Sequence, residues 1–284
     1  MRLRPVVAGA FYPDRPKELQ TFFKEFEKET PDGPLKGEPV GLLLPHAGYM
    51  YSGALAALGY RTLERAPKTL VVAGPSHYLA FRGVSLFAGE VVETPLGDLA
   101  VDQEAARFLM EQDDHIAEVP PAFAREHSVE VHLPLIRHYF PEAQVVPLVM
   151  GQGTREAVEP LTRALLALAQ KKDFLFVASS DLSHYPDQAT ASKADHEFLE
   201  ALLTGDEGRV EGVDGDIMGR GYRDYHCTHC GREPVQVLLR YCKARGAGQV
   251  RLLKYRNSGD VTGDRKRVVG YAAVAFSRAT KDGK

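Results

Sequence analysis

Short, continuous runs of apolar residues alternate with stretches of helical periodicity along most of this chain. Such runs are typical of strands buried on both faces of a mainly parallel sheet, and the helices between them form the crossovers that parallel strands require. The predicted strands are Val40–Leu44, Thr69–Ala73, Val84–Phe87, Val91–Thr94, Val145–Val149, Phe174–Ala178, Arg251–Tyr255 and Val268–Phe276. The predicted helices are Pro16–Glu29, Ala54–Glu64, Asp102–Glu111, Val129–Tyr139, Arg155–Lys171, Ala194–Leu203 and Pro234–Ala244. We therefore predict a single α/β domain over residues 1–279, with a central mixed, mainly parallel sheet, helices on both faces and a polar tail over 280–284.

Composition and charge exclude several classes of protein. Hydrophobic residues make up 44% of the 284 residues and charged residues 26%, which is ordinary globular usage and excludes a mainly disordered chain. The net charge of −3 gives no general attraction for nucleic acid or an anionic membrane. No apolar run approaches the roughly 20 residues that span a bilayer. Three cysteines within 227–242 cannot pair fully, so we expect a reducing, cytoplasmic location.

Polar side chains with chemical potential follow three of the predicted strands. His46 comes after the first of these strands, His77 after the second, and Asp181 and His184 after Phe174–Ala178. The carboxyl ends of parallel strands meet at one edge of an open sheet, where ligands bind. The sequence therefore predicts that these four side chains share a site.

Two cysteines, Cys227 and Cys230, form a C-x-x-C motif with interleaved histidines. The motif suggests a zinc knuckle or a redox dithiol, although no second C-x-x-C follows, and a buried free cysteine is the plainer alternative. Cys230 precedes Gly231 at a predicted helix start, where backbone N–H groups stabilise a thiolate. Cys230 is therefore the better candidate for a metal ligand or reactive thiol.

A further histidine and carboxylate, His127 and Glu130, are spaced to share one face of a helix. At this spacing the carboxylate could orient the imidazole, although a charge pair at a helix start is the simpler explanation. His132 points elsewhere and is interpreted as a surface or packed residue. The segment Ser258–Asp264 lacks the order of residues of a phosphate-binding loop, so nucleotide binding is not favoured.

Seven motifs along nearly the whole chain together resemble the Memo family. The motifs are Val7–Pro13, Pro45–Tyr49, Gly74–His77, Glu126–Glu130, Ser180–His184, Cys230–Arg232 and Ser258–Asp264. Prokaryotic members are described as protein B of the AmmeMemoRadiSam system, which implies a functional link to a radical-SAM protein and an AMMECR-type protein. The resemblance also implies the fold of class III extradiol dioxygenases.

Site residues follow from the resemblance by matching positions. It implies a mononuclear metal site held by His46, His77 and Cys230, with the cysteine replacing the carboxylate of the dioxygenases. Asp181 and His184 would line the same pocket as catalytic residues. The remaining matched positions are His127 and Glu130 behind the ligands, and Phe11, where some members have Trp, and Tyr51 on the substrate side. The implied cofactor is Fe(II), and Cu or Zn are alternatives because imidazole and thiolate suit these ions.

Two functions are consistent with such a site. One is a redox enzyme in which the metal activates O₂ or water and His184 moves protons as a general acid or base. The other is a non-catalytic module that holds metal, an anionic ligand or a peptide in the same pocket, which an oxidisable thiolate ligand would suit better. Metal-dependent O₂ uptake separates the two. A serine hydrolase is not indicated, because no G-x-S-x-G motif is present.

Overall fold

An eight-stranded mixed sheet forms the centre of the protein in this computed structural model, which describes residues 1–31 and 37–278. The strands of the described residues are β1 (Arg2–Leu3), β2 (Glu38–Leu44), β3 (Thr69–Pro75), β4 (Val84–Leu86), β5 (Val91–Val92), β6 (Leu99–Ala100), β7 (Ile116–Ala117), β8 (Gln144–Met150), β9 (Leu175–Ser179), β10 (Gln249–Asn257) and β11 (Gly270–Arg278). The main sheet has the order β10-β11-β2-β9-β3-β8-β4-β7, and β1, β5 and β6 form a small second sheet.

Helices cover both faces of the main sheet. They are α1 (Pro16–Phe26), α2 (Ala54–Arg61), α3 (Gln103–Met110), α4 (His132–Tyr139), α5 (Val158–Leu168), α6 (Gln188–Leu202), α7 (Glu207–Gly219), α8 (Arg232–Ala244) and α9 (Ser258–Thr262). Successive residues of β2 enter different cores: Leu43 packs with residues of α3 and α5–α8, whereas Leu42 and Leu44 pack with residues of α1, α2 and α4. This two-sided burial explains why the strands are continuously apolar, and it confirms the predicted fold class.

Three neighbouring strands, β2, β9 and β3, run parallel in the middle of the sheet. The register pairs Leu44 with Ser179 and Ala73 with Ala178, so the three strands end at nearly the same level. The loops that follow these strands therefore start side by side at one edge of the sheet.

Several predicted elements differ from the structure. The predicted strands Val84–Phe87 and Val91–Thr94 are shorter in the structure, where they are β4 and β5, and β4 joins the main sheet whereas β5 joins the small one. The helix predicted over Val129–Tyr139 begins only at His132, two residues before Pro134, a residue that is tolerated in the first turn of a helix. The predicted tail over 280–284 lies outside the described residues. No helix of the described chain is long and apolar enough to cross a membrane.

Candidate metal centre

The loops after the three central strands bring the predicted site residues to one edge of the sheet. His46 follows β2, His77 follows β3, and Asp181 and His184 follow β9. Because these strands are parallel neighbours, the arrangement is the one that the sequence predicts.

Three histidines, His46, His77 and His127, form a tight group at this edge. One ring nitrogen from each lies within 4.8 Å of the others. The rings of His77 and His127 stack with centroids 4.4 Å apart, and the His46 ring stands edge-on to both. His127, which the resemblance places behind the ligands, is thus a member of the group itself.

The thiol of Cys230 joins this group through His46. Cys230 Sγ lies 3.2 Å from His46 Nε2 and accepts a hydrogen bond from the Asp181 backbone N–H at 3.3 Å. The next residue, Gly231, packs closely on the end of β9, since a Cβ there would lie 2.5 Å from the Ser179 carbonyl oxygen. Cys227 instead lies 3.4 Å from His184 Nδ1. The two cysteines therefore contact different imidazoles, and both are free thiols.

A buried carboxylate, Glu126, fixes the orientation of His77. Glu126 Oε1 accepts a hydrogen bond from His77 Nδ1 at 2.9 Å, and Oε2 accepts one from the His77 backbone N–H at 2.6 Å. Burial opposes ionisation of this carboxyl, but the hydrogen bonds from His77 outweigh it and lower the pKa of Glu126. With Nδ1 donating to a carboxylate, Nε2 of His77 keeps its lone pair for a ligand, as is usual for metal-binding histidines.

Burial keeps the other groups of the site neutral. It lowers the pKa of His46 well below the ordinary value and the pKa of His127 to about 4. The neighbouring imidazole of His77 adds to both shifts, because two positive rings repel each other. Burial also raises the pKa of the Cys230 thiol well above its ordinary value. Without metal, the site therefore presents neutral imidazoles beside a protonated thiol.

Asp181 and His184, which the resemblance places in one pocket, make separate hydrogen bonds. Asp181 Oδ1 accepts a hydrogen bond from the His46 backbone N–H at 2.7 Å, and burial raises the pKa of this carboxyl to about 7. His184 Nδ1 donates instead to the Leu182 carbonyl at 2.8 Å, and burial lowers the pKa of His184. Asp181 therefore fixes the backbone of His46, and His184 is oriented by its own loop.

The contact between Glu130 and His127 that the sequence suggested is not formed, because the described chain makes a turn at this point and not a helix. Its carboxylate accepts hydrogen bonds from the backbone N–H groups of Val6 and Val7 and from the Tyr12 hydroxyl. These bonds hold the N-terminal segment against the site. The carboxylate that orients a histidine of the group is Glu126, whose role the sequence did not indicate.

Two aromatic residues expected on the substrate side occupy different positions. The Phe11 ring lies 4.4 Å from the His127 ring, centroid to centroid, and so covers one side of the histidine group. Tyr51 lies half-buried in the π-helical turn Tyr49–Gly53, which directly follows the His46 loop. Phe11 therefore contacts the site directly, whereas Tyr51 lies in the turn that follows it.

Two exposed tyrosines lie beside the histidines, and an arginine guanidinium lies over the ring of each. The Arg125 guanidinium lies 5.0 Å from the centre of the Tyr78 ring, and Tyr78 is itself 5.9 Å from the His127 ring. Arg267 lies 5.0 Å from the Tyr185 ring, which borders His184. Tyr185 has a φ of +72°, a strained value for a tyrosine that is held where the chain turns beside His184. The rim of the site is thus aromatic and positively charged.

The donors of the site fit a transition-metal ion. Imidazole nitrogen and thiolate sulfur suit Fe, Cu and Zn and do not suit Mg or Ca, which require oxygen ligands. His127 Nδ1 is buried and makes no hydrogen bond, although Glu126 Oε1 is 3.4 Å away. An imidazole nitrogen left without a hydrogen bond in a buried group of histidines is consistent with a missing ligand.

The fold and site together define an α/β protein with a candidate histidine–cysteine metal centre at the carboxyl edge of its central strands. A family model described as "Memo-like protein" matches residues 3–275, and the chain belongs to this family.

The relatives found by sequence comparison cover almost the whole chain. The chain is 33% identical over 276 residues to the MEMO1 family protein Ta0237 of Thermoplasma acidophilum, with 96% of this chain and 98% of the relative aligned. It is 36% identical to a MEMO1 family protein of Methanobrevibacter smithii, covering 97% of this chain and all of the relative. A solved structure of an uncharacterized protein from Escherichia coli K12 aligns with a TM-score of 0.48 at 16% identity, over 84% of this chain and 99% of that one.

Proposed function

We propose that the protein holds one transition-metal ion with His46, His77 and Cys230 and acts as a metal-dependent redox enzyme similar to the extradiol dioxygenases. Fe(II) is the ion that the dioxygenase resemblance favours, and Cu and Zn are alternatives that accept the same donors. A bound ion would supply redox chemistry toward O₂ or Lewis-acid activation of a ligand. A reducing cytoplasm, which the unpaired cysteines suggest, would keep Cys230 available as a donor.

The observation that carries this proposal is the contact between Cys230 and His46, which is itself a member of the three-histidine group. Donor atoms that share one ion at about 2.1 Å (nitrogen) and 2.3 Å (sulfur) lie roughly 3–4 Å apart, and Cys230 Sγ is 3.2 Å from His46 Nε2. The three-histidine group offers a second ligand set, with His127 in place of Cys230. The two sets differ in whether metal binding requires the thiol.

The residues around the donors would support catalysis by orientation and proton transfer. Glu126 orients His77 through Nδ1, and Asp181 holds the backbone of His46. His184 donates its Nδ1–H to a carbonyl, which leaves Nε2 as the atom that can accept or return a proton. We therefore assign His184 the proposed role of proton carrier and Asp181 a supporting role.

Metal content and O₂ consumption test the proposal together. Anaerobically purified protein should contain about one Fe, Cu or Zn per chain by elemental analysis. His46→Ala and Cys230→Ser should lose most of it, and the matched control Cys227→Ser should retain it. Protein reconstituted with Fe(II) should consume O₂ with catechol-like substrates. Protein that takes up none of these metals, or loses metal equally in both cysteine variants, would contradict the proposed ligand set.

A binding function without turnover is the second candidate, and the charged aromatic rim favours it. Arg125 lies over Tyr78, which contacts His127, and Arg267 lies over Tyr185, which contacts His184; this arrangement suits an anionic ligand or peptide. Calorimetry with inorganic phosphate or a short acidic peptide should then show binding that is weakened in Arg125→Gln and Arg267→Gln. Metal-loaded protein that binds such a ligand but consumes no O₂ would support this candidate over the enzyme.

A further inference from the structure

Behind His46, a buried serine makes three close polar contacts. Ser179 Oγ lies 2.6 Å from the Ser128 carbonyl oxygen, 2.7 Å from His46 Nδ1 and 2.9 Å from His132 Nε2. Each contact needs one hydrogen, because two lone pairs facing each other at these distances repel. The serine hydroxyl owns one hydrogen, and the carbonyl owns none.

The positions of all three hydrogens follow from this count. The hydroxyl hydrogen must point to the Ser128 carbonyl, since nothing else can supply that contact. The other two hydrogens therefore belong to the imidazoles, and both His46 Nδ1 and His132 Nε2 donate to Ser179 Oγ. A neutral imidazole carries one N–H, so Nε2 of His46 carries a lone pair on the side where Cys230 Sγ lies.

The chain of hydrogen bonds continues beyond His132 to a tyrosine. His132 Nδ1 lies 3.0 Å from the Tyr60 hydroxyl, and with Nε2 protonated it accepts the hydroxyl hydrogen. Tyr60, His132 and Ser179 are fully buried, so bulk solvent does not reach these bonds. The direction of each hydrogen bond is therefore defined: Tyr60 donates to His132, and both His132 and His46 donate to Ser179.

We propose that Ser179, with His132 and Tyr60 behind it, is a positioning residue that locks His46 in the Nδ1–H tautomer and so presents Nε2 for metal binding. This inference rests on the proposed metal site. It assigns a role to two residues, His132 and Tyr60, that lie outside the histidine group and touch none of its donor atoms. A substitution of one of these residues that keeps its hydrogen bond should therefore preserve the site, whereas one that keeps only the side-chain volume should not.

The tautomer of His46 can be measured directly in metal-free protein. Two-bond ¹H–¹⁵N correlation spectra distinguish the protonated from the unprotonated ring nitrogen. Wild-type protein should show His46 almost wholly as the Nδ1–H form, whereas Ser179→Ala should populate the Nε2–H form. Ser183 is equally buried but takes no part in these hydrogen bonds, so the control Ser183→Ala should leave the tautomer unchanged.

Metal affinity provides the second readout, with Zn²⁺ alone as the probe. Loss of a group that orients a ligand histidine usually weakens binding 10–100-fold, and we expect a loss of this size in Ser179→Ala. His132→Leu should weaken Zn²⁺ binding in the same direction, and His132→Gln should restore it, because its amide N–H can replace the one at Nε2. This pair keeps the test valid if Ser179→Ala does not fold.

The outcomes separate this inference from the proposed function. An unchanged His46 tautomer in Ser179→Ala, or equal Zn²⁺ affinity in His132→Leu and His132→Gln, would overturn the positioning role even if the protein binds metal. A locked tautomer that is released in Ser179→Ala, in a protein that binds no Zn²⁺, would support the positioning role and contradict the metal site.

Discussion

The pH dependence of metal binding should reveal whether Cys230 is a ligand. Burial raises the pKa of this thiol well above its ordinary value, which favours the protonated thiol in the metal-free protein. A metal ion must displace that proton to bind sulfur. The association constant should then increase tenfold per pH unit, or about 1.4 kcal/mol, and about 30-fold between pH 7.5 and 9.0. Binding by imidazoles alone should be nearly independent of pH in this range, where an imidazole of ordinary pKa is already neutral.

Isothermal titration of Zn²⁺ in buffers of different ionisation enthalpy measures the released protons directly. Wild-type protein and the control Cys227→Ser should release about one proton more per ion than Cys230→Ser. The comparison with Cys230→Ser removes any contribution from ionisation of a metal-bound water. Equal proton release in wild type and Cys230→Ser, with equal affinity, would refute the thiolate assignment and leave His46, His77 and His127 as the ligand set.

Three further predictions concern the neighbouring residues. His184→Ala should retain most of the bound metal but abolish O₂ consumption, whereas His46→Ala should lose both; equal metal loss in the two would make His184 a ligand. Glu126→Gln should weaken Zn²⁺ binding about 10–100-fold, because His77 loses its charged partner, and calorimetry should detect the change. Burial lowers the pKa of His132 to about 3, so this imidazole binds a proton more readily in the unfolded chain than in the folded one. The free energy of unfolding is therefore fully present above pH 6.5 and decreases as the pH falls below it. Between pH 8 and 5, urea unfolding of His132→Leu should therefore lose about 2 kcal/mol less than that of wild type, in which the buried His46 and His127 add to the decrease.

The central strands were predictable because burial on both faces makes them continuously apolar. Helix α7 was not, since Gly208, Gly212 and Gly215 interrupt it and its buried face is narrow and includes Asp214. It is held by packing in the core, mainly against α6, a contact that local sequence does not encode. Strands of two residues, such as β1, are equally invisible, because two residues cannot show a period.

The sequence predicts the part of the site that is positioned by the ends of strands. His46, His77 and His184 follow three parallel strands, and topology alone brings them together. The choice of Glu130 as the orienting carboxylate assumed a helix where the chain forms a turn, and the turn presents Glu126 instead. The contact between Tyr60 and His132 joins residues 72 positions apart, and no local pattern indicates it.

The central position of β9 limits when during its synthesis the protein can acquire an ion. β2 and β3 leave the ribosome early, but the strand that lies between them follows about 100 residues after β3 ends, and Cys230 follows later still. Contacts between such distant segments form late, because the intervening chain must first be ordered. While the chain is still being synthesised, its histidines are therefore apart and the candidate metal centre has not formed. Loading of the proposed metal ion would therefore be a step for the finished protein.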